Sequence, residues 1–371
     1  MIYIFIFFIT SLIFLIATFF ENNNLKIIGF PLQIINIIIL TLFAGLRAFS
    51  VGTDVLYYMV PSFQYASLYA NFNEYWKVYH FEPLYAFLSY KISIFSGQNS
   101  TLFLTILACI IIVFIFMYLK NERKYIDINF AFYLFLWGFF NISLNYTRQL
   151  IALSISIYSL TYLLKNKEVK FTIGIIIASL FHYSALLLLI LLLFKTADTF
   201  KKNSLIVLDT TVSLICLVIL LTYNNIISKL IDLGIISSKY SAHLSSGIQI
   251  QWTYLLFHIV LLAILFYLLF HFVNERKEKI FMFNICLFDG LLSLVSILSD
   301  TSYRIELNIF IVISLYIIPR IIYEIEDRNI KLEIEILILS LFIMYWIITI
   351  LMDNEGETIP YVFAITGRIF N

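Results

Sequence analysis

Long apolar runs alternate with short polar stretches along almost the whole chain. Each run is about 20 residues long, the length that an α-helix needs to cross roughly 30 Å of hydrocarbon at about 1.5 Å per residue. Apolar residues cover every side of such a run, as in residues 102–119. A β-barrel strand would instead alternate apolar and polar positions over about 10 residues. The pattern therefore predicts an all-α integral membrane protein.

The same pattern predicts about ten full transmembrane helices. Their approximate ranges are 1–20, 27–46, 101–119, 127–143, 148–164, 204–223, 252–272, 280–299, 303–320 and 332–351. Two further elements are expected to be short or re-entrant helices. Residues 82–96 are too short and too polar to cross alone, and the apolar run 171–194 is interrupted at residues 182–184 (His-Tyr-Ser). No internal repeat is visible, so we predict that residues 1–371 form one polytopic membrane domain.

Composition agrees with this class of protein. The chain is 62% hydrophobic and 13% charged, with a mean hydropathy of +0.96, far outside the range of a soluble domain. The formal net charge is +1, and no basic block is interleaved with aromatic residues outside the short loops, so no nucleic-acid partner is expected. The cysteines and most of the histidines lack ligand spacing, and we predict no metal site and no cofactor. These residues are Cys109, Cys216, Cys286, His80, His243, His258 and His271.

Basic residues set the expected orientation in the membrane. By the positive-inside rule, the basic connections face the cytoplasm. These connections are residues 120–124, 165–170, 195–202, 274–279 and 320–331. Counting spans outward then puts both termini, the loops 47–81 and 224–251, and residues 299–302 on the outer side. The count requires residues 82–96 to dip in and return, and residues 171–194 to enter as a hairpin from the cytoplasm. We therefore expect an outward-facing cavity.

Three arginines fall at this predicted outer level: Arg47, Arg148 and Arg304. A charge within apolar sequence tends to face a watery cavity and to carry function. The planar fork of arginine suits phosphate, because it donates two parallel hydrogen bonds and stays ionised. Together the three indicate an anionic ligand, and pyrophosphate on a polyprenyl carrier fits that depth. The alternative is that they are boundary arginines that reach to the interface.

An aspartate follows the second predicted span within the stretch Gly-Thr-Asp (residues 52–54). This stretch predicts a turn, with Thr53 or Asp54 as the N-cap of a helix that begins near Val55. Tyr57 lies three residues from Asp54 and so on the same helical face, where an aromatic ring beside a carboxylate could hold a sugar.

His182 is predicted at the floor of the outward cavity. A hairpin limb of about eleven residues rises about 16 Å, which would place this side chain near the middle of the bilayer. A neutral imidazole there could accept a proton from a sugar hydroxyl. The alternative is a core histidine that bonds to a neighbouring hydroxyl or carbonyl group. Asp54 and His182 are both candidates for a general base, and the sequence does not decide between them.

Several short motifs follow one another in a particular order among the predicted spans. They are Gly-Leu-Arg (45–47), Val-Gly-Thr-Asp (51–54) with Tyr58, Phe-Glu-Pro-Leu-Tyr (81–85), Asn-Tyr-Thr-Arg-Gln (145–149) leading into Ile151 and Ala152, Ala-Ser-Leu-Phe-His-Tyr-Ser-Ala (178–185), Lys239-Tyr240, Arg304 and Pro360-Tyr361. With these motifs the chain resembles the EpsG family, which is grouped with Wzy-type O-antigen and capsular polysaccharide polymerases. The resemblance covers nearly the whole chain. One departure is His243, which stands where the family has a second tyrosine after the Lys-Tyr pair. Another is Thr147, which precedes Arg148 where many relatives have a small or apolar residue.

The resemblance implies a metal-independent membrane glycosyltransferase in the bacterial cytoplasmic (inner) membrane. Such a polymerase joins oligosaccharide repeat units on undecaprenyl pyrophosphate, at the outer face, into O-antigen, capsular polysaccharide or exopolysaccharide. Donor and acceptor are both lipid-linked, and a flippase and a chain-length regulator are candidate partner proteins. A flippase or transporter of lipid-linked oligosaccharide, a polysaccharide ligase and a polysaccharide acyltransferase are the alternatives.

Each candidate site residue has an expected role in such a polymerase. Arg148 and Arg304 would bind the donor pyrophosphate, and Arg47 would support the phosphates or orient Asp54. Asp54 or His182 would be the base. The remaining candidates for substrate binding are Tyr57, Lys239, Tyr240 and Tyr361.

Overall fold

The structure is a computed structural model that describes residues 2–196, 228–229, 252–295 and 303–370. The described chain is almost wholly helical and divides into two compact units. Unit 1 comprises Met1–Leu186 and Glu335–Asn371, and unit 2 comprises Leu187–Ile334. The predicted span 204–223 and the predicted outer loop 224–251, which contains Lys239 and Tyr240, lie outside the described residues apart from the helical pair 228–229.

The helices have the following bounds. Those up to the end of the first stretch of unit 1 are α1 (Ile2–Asn22), α2 (Lys26–Gly45), α3 (Val60–Ala66), α4 (Phe72–Tyr79), α5 (Pro83–Ser96), α6 (Ser100–Glu122), α7 (Ile128–Phe135), α8 (Asn141–Asn145), α9 (Thr147–Leu164) and α10 (Glu168–Ser179). Those that follow are α11 (Ile190–Thr196), α12 (Trp252–Phe272), α13 (Arg276–Val295), α14 (Tyr303–Val312), α15 (Ile318–Glu324) and α16 (Arg328–Trp346). Turns of π-helix adjoin several of these helices. Val55–Met59 precedes α3, Leu136–Phe140 joins α7 to α8, Ile313–Ile317 joins α14 to α15, and Ile347–Met352 extends α16.

The all-α membrane class predicted from the sequence is confirmed. Seven helices among the described residues are long and apolar enough to cross a membrane. They are Ile2–Asn22, Lys26–Gly45, Ser100–Glu122, Ile128–Asn145, Trp252–Phe272, Tyr303–Glu324 and Arg328–Met352. The predicted spans 148–164 and 280–299 correspond to α9 and α13, which are helical but carry more polar side chains. The count of about ten and the outward-facing cavity therefore stay predictions.

Both predicted short elements are present as interrupted or short helices. Residues 82–96 form α5, a helix of 14 residues that begins at Pro83, where a missing N–H costs nothing. The apolar run 171–194 breaks after α10, and a 3₁₀ turn, Tyr183–Leu189, leads into α11. The break falls at the predicted position, because polar residues interrupt the apolar run there.

Small residues allow the helices of unit 1 to pack closely. Lipid chains are as apolar as leucine, so helices in a membrane associate mainly through van der Waals contact and interhelical hydrogen bonds. Helix α2 packs against α1 and α6, and α9 packs against α6 and α10. A Cβ atom at Gly174 of α10 would lie 2.0 Å from Oγ of Ser159 on α9. The absence of a side chain at Gly174 therefore sets the spacing between α9 and α10.

The C-terminal segment folds back onto the end of α2. Strands β1 (Tyr361–Val362) and β2 (Ile369–Phe370) form an antiparallel ribbon. The amide of Ala48 donates to the carbonyl of Val362 at 2.7 Å, and the amide of Ala364 donates to the carbonyl of Leu46 at 2.8 Å. These bonds join the C-terminal segment to the backbone on either side of Arg47.

The contact between α9 and α10 gives a stability prediction. Gly174→Ala is expected to lower the free energy of unfolding by about 1–3 kcal/mol, because the new methyl group overlaps Ser159. Ser159→Gly alone should cost about 1 kcal/mol through helix propensity. In the double variant the nearest atom of residue 159 would be Cα, at 3.8 Å from the added Cβ. We expect the double variant to be more stable than the sum of the single effects, measured by unfolding in detergent; strict additivity would contradict the predicted overlap.

Candidate functional site

A buried guanidinium lies at the meeting point of three helix ends in unit 1. Arg47 is 2% exposed. Its Nη1 donates to the carbonyl of Ala44, in the last turn of α2. Its Nη2 donates to the carbonyl of Leu144 in α8 at 3.0 Å and to Oγ1 of Thr147, the first residue of α9, at 3.5 Å. The final carbonyls of a helix lack partners within the helix, so a cation at that end satisfies them and the helix dipole together.

Burial determines what Arg47 can do chemically. It lowers the pKa of the guanidinium to about 10, so the group stays protonated near neutral pH. A cavity of about 10 Å³, room for roughly one water molecule, lies beside it. These contacts support a positioning role: Arg47 holds the start of α9, where Arg148 is the next residue after Thr147. Its predicted contact with phosphates is not tested by the structure.

Arg148 has a different environment, with part of its side chain open to solvent. Its Nη1 donates to Oε2 of Glu82 at 2.6 Å, and the two side chains are 25% and 9% exposed. The guanidinium lies over the rings of Phe81 and Tyr85, at 4.8 and 5.4 Å from their centroids. Two motifs that are separate in sequence, residues 81–85 and 145–149, thus form one charged and aromatic cluster.

Asn145 links this cluster to Asp54. Its Oδ1 accepts a hydrogen bond from the backbone amide of Asp54 at 2.8 Å and from Oγ1 of Thr53 at 3.2 Å. Gly52 adopts a positive φ of 106°, and a Cβ there would lie 2.8 Å from the carbonyl of Leu144. Helical backbone begins at Thr53, two residues before the predicted start, and the π-helical turn begins at Val55.

The predicted cap of that segment was wrong. The side chain of Asp54 makes no capping hydrogen bond, and Oγ1 of Thr53 donates to Asn145. The Asp54 amide instead donates to the side chain of Asn145, which is 91 residues away along the chain, so a distant residue takes the place of a local cap. The Asp54 carboxylate is therefore not engaged in capping, and it lies close enough for its charge to act on Arg148 and Tyr85.

The break after α10 borders the same cluster. The carbonyl of Leu180 accepts hydrogen bonds from the amides of Leu84 and Tyr85, at 3.0 and 3.3 Å, in the first turn of α5. Nδ1 of His182 lies 2.7 Å from Oγ of Ser184. The charge of Glu82 acts on Tyr183.

The residues around His182 lie near the start of α5. Helices α9 and α10 are consecutive and packed together, with Gly174 against Ser159. Beyond the end of α10 the chain turns, and the carbonyl of Leu180 bonds to the first turn of α5. The place of His182 at the floor of a cavity stays a prediction.

The other predicted substrate-binding residues have varied environments. Tyr57, on the π-helical turn, is 66% exposed. Tyr361 is buried, donates to the carbonyl of Phe43 at 2.6 Å and stacks on the Phe43 ring at 4.4 Å, so its contacts here are structural. Arg304 lies in the first turn of α14, in unit 2. Their roles in substrate binding stay predictions.

Sequence reasoning missed Glu82 as a site residue. The motif that contains it was recognised only as part of the family pattern, and no signal in the sequence paired it with Arg148, 66 residues away. A carboxylate directly before the proline that begins α5 could have been noticed, since it is the first residue of the predicted re-entrant element 82–96.

Unit 2 contains a second cluster that the sequence did not indicate. His258, Asp289 and Glu306 come from α12, α13 and α14, and each is fully buried. Their ligand atoms lie within 4.8 Å of one another, which makes this the one group of potential metal ligands found among the described residues. The three residues lie on three different helices and form no local spacing motif. The sequence therefore contains no indication of a metal site at this cluster.

The fold and the site define a class: a multi-pass α-helical membrane protein in which an arginine, two carboxylates and aromatic rings converge. The model of the EpsG family matches residues 30–363. The chain therefore belongs to the EpsG family, a family of Wzy-type polysaccharide polymerases, as its motifs indicated. No curated relative and no solved structure matches the chain. Family membership identifies the protein as a polysaccharide polymerase, an enzyme with glycosyltransferase-type activity.

Arg47 and Arg148 should respond differently to replacement by lysine. Arg47→Lys is expected to lower the free energy of unfolding by about 2 kcal/mol, because one ammonium cannot reproduce a fork that bonds to three helix ends. Arg148→Lys should cost under about 1 kcal/mol, since lysine can still pair with Glu82 at a partly exposed site. Unfolding midpoints of both variants, measured side by side in detergent, test this difference. Equal shifts would argue against the positioning role of Arg47.

Proposed function

We propose that this protein joins oligosaccharide repeat units carried on undecaprenyl pyrophosphate, at the outer face of a bacterial cytoplasmic membrane. The product would be an O-antigen, a capsular polysaccharide or an exopolysaccharide. The observation that carries the proposal is the environment of Arg148: a partly exposed side chain whose guanidinium lies against two aromatic rings, is paired with Glu82 and is close to Asp54. Family membership supports the polymerase activity, and this arrangement supports an anionic, sugar-bearing substrate.

Arg148 would bind the donor pyrophosphate. A guanidinium has five N–H donors, and the one contact to Glu82 at 2.6 Å uses one end of the fork. The remaining donors match the geometry of phosphate oxygens. Positive charge fixed at this position would stabilise the negative charge that develops on the leaving pyrophosphate. Arg304, in unit 2, stays a candidate phosphate ligand on sequence grounds, and in this proposal arginine supplies the charge that a metal supplies in other transferases.

Asp54 is the better candidate for the general base. The acceptor hydroxyl must attack the anomeric carbon next to the pyrophosphate, so its base has to lie near the arginine that binds the phosphates. The charge of Asp54 acts on Arg148, and the Asp54 amide is bonded to Asn145, three residues before Arg148. The anchoring of the Asp54 backbone by Asn145 would hold the carboxylate in place.

The proposed step conserves atoms and charge. The oxygen of the acceptor hydroxyl forms a bond to the anomeric carbon of the donor chain while the bond from that carbon to the pyrophosphate oxygen breaks. The hydroxyl proton passes to Asp54, and undecaprenyl pyrophosphate leaves. The exposed ring of Tyr57 could contact the acceptor sugar. A flippase that delivers repeat units and a chain-length regulator are the proposed partner proteins.

Replacement of Arg148 should remove polymerisation. We expect Arg148→Ala to lower the rate at which purified protein extends a lipid-pyrophosphate repeat unit by about 10²–10³-fold, and Arg148→Lys to retain part of it. The product ladder, spaced by one repeat, is measured by gel or mass.

A matched control is available in the same chain. Arg123 pairs with Glu21 at 2.6 Å, with side chains 23% and 13% exposed, which closely resembles the pair of Arg148 and Glu82. Arg123→Ala should leave the ladder intact. If Arg148→Ala also gives normal ladders, Arg148 is not part of the mechanism. If the wild-type protein moves repeat units across a vesicle membrane without extending them, the flippase alternative is favoured.

The choice of base is testable with isosteric variants. Asp54→Asn is expected to lower the rate of chain extension by about 10²–10⁴-fold because the proton acceptor is lost, while binding of the lipid-linked donor is retained. His182→Gln should reduce the rate less than about tenfold. Single-turnover extension and donor binding are measured on the same preparations. The reverse order of effects would assign the base to His182.

A further inference from the structure

Two carboxylates and an imidazole meet at one point inside unit 2. Nδ1 of His258 lies 3.0 Å from Oδ2 of Asp289 and 3.5 Å from Oε1 of Glu306. All three side chains are 0% exposed. The hydroxyl of Tyr254 donates to the other carboxylate oxygen of Glu306. Each of the three residues comes from a different helix, so the cluster links α12, α13 and α14.

The protein groups of this cluster leave part of its hydrogen-bonding capacity unused. Oδ1 of Asp289, Oε1 of Glu306 and Nε2 of His258 are buried and have no hydrogen-bond partner in the structure. A neutral imidazole has one N–H, so its Nδ1 can donate to only one of the two carboxylates that face it. Two carboxylates buried side by side are costly unless a positive charge compensates them. Either protons on these groups or a bound cation must balance this charge, and a cation would also satisfy the buried oxygen atoms that have no partner.

We propose that His258, Asp289 and Glu306 bind a divalent transition-metal ion, Zn²⁺ or Mn²⁺. One such ion with two carboxylates and a neutral imidazole forms a cluster of zero net charge, which suits an apolar interior. Ligands about 2.1 Å from an ion and 90–109° apart lie about 3.0–3.4 Å from each other. The distances of 3.0 and 3.5 Å from Nδ1 to the carboxylate oxygens are close to this geometry, and all three ligand atoms lie within 4.8 Å of one another, so a bound ion would draw the two carboxylates together. The nitrogen ligand favours a transition metal over Mg²⁺ or Ca²⁺.

The neighbouring groups suit a structural metal site. The Tyr254 hydroxyl would hold Glu306 in its orientation, as polar groups around a metal commonly do for the ligands. Three residues supply four ligand atoms if Asp289 binds through both oxygens, since its Oδ1 has no other partner, and full burial keeps the ion away from a substrate. The ion would fix the first turns of α14, which also carry Arg304, two residues before Glu306. The site does not depend on the proposed polymerase reaction, so it can be tested without activity.

The test is metal binding by the purified full-length protein in detergent. Equilibrium dialysis against radioactive Zn²⁺ or Mn²⁺ at chelator-buffered concentrations should give about one ion per chain. His258→Gln, Asp289→Asn and Glu306→Gln should each weaken binding at least tenfold. His271→Gln is the matched control, because His271 lies on the same helix and is exposed, and it should leave binding unchanged. Removal of metal should lower the unfolding temperature of the wild-type protein, and re-addition should restore it.

The wild-type measurements keep the proposal falsifiable if a variant does not fold. Substitution with Co²⁺ should give an absorption band typical of mixed nitrogen and oxygen ligation. Failure of the wild-type protein to bind either ion, or binding that survives all three substitutions, would overturn the proposal. So would an unfolding temperature that responds to neither chelator nor metal, because the carboxylates would then be neutralised by protons.

Discussion

The buried guanidinium of Arg47 connects segments that are far apart in the sequence of unit 1. It bonds to the last turn of α2, to the end of α8 and to the first residue of α9. The backbone on either side of it pairs with the C-terminal segment. A charged donor with several acceptors is stable in an apolar interior only when each acceptor is held in place. The same constraint that makes Arg47 costly to bury therefore makes the local geometry unique.

That geometry extends directly to the candidate site. Thr147, which accepts from Arg47, precedes Arg148, and Asn145, two residues before Thr147, anchors the backbone of Asp54. A site whose groups must lie within a fraction of an ångström of a productive arrangement needs such support from the residues around it. Asn145, Thr147 and Arg148 thus combine three contacts within four residues: Asn145 bonds to the Asp54 backbone, Thr147 to Arg47, and Arg148 to Glu82. Irregular backbone is concentrated here as well, in the turn at Gly52, the π-helical turn Val55–Met59 and the break after α10.

Hydropathy was sufficient to predict the class of the fold but not the contacts of the site. The lengths of the apolar runs predicted the long helices, the short helix α5 and the break near His182, because each depends on local composition. The cap of the segment at Val55 was assigned wrongly because its real partner, Asn145, is distant in sequence. The pairing of Glu82 with Arg148 and the cluster around His258 were not predicted, because their members are also distant in sequence. Long-range polar contacts have no periodic signature that a single sequence reveals.

Arg47 and Arg148 illustrate this limit most clearly. Both are arginines at the boundary of an apolar run, and the sequence predicted phosphate contact for both. Their difference lies in burial: Arg47 is 2% exposed and bonded to two carbonyls and a hydroxyl, while the side chain of Arg148 is 25% exposed and lies against aromatic rings. Because a protein interior offers carbonyl dipoles and a partly exposed position offers solvent, the same side chain stabilises structure in the first case and can meet an anion in the second. Only the tertiary contacts decide which arginine has which role, and in this chain the first one positions the second.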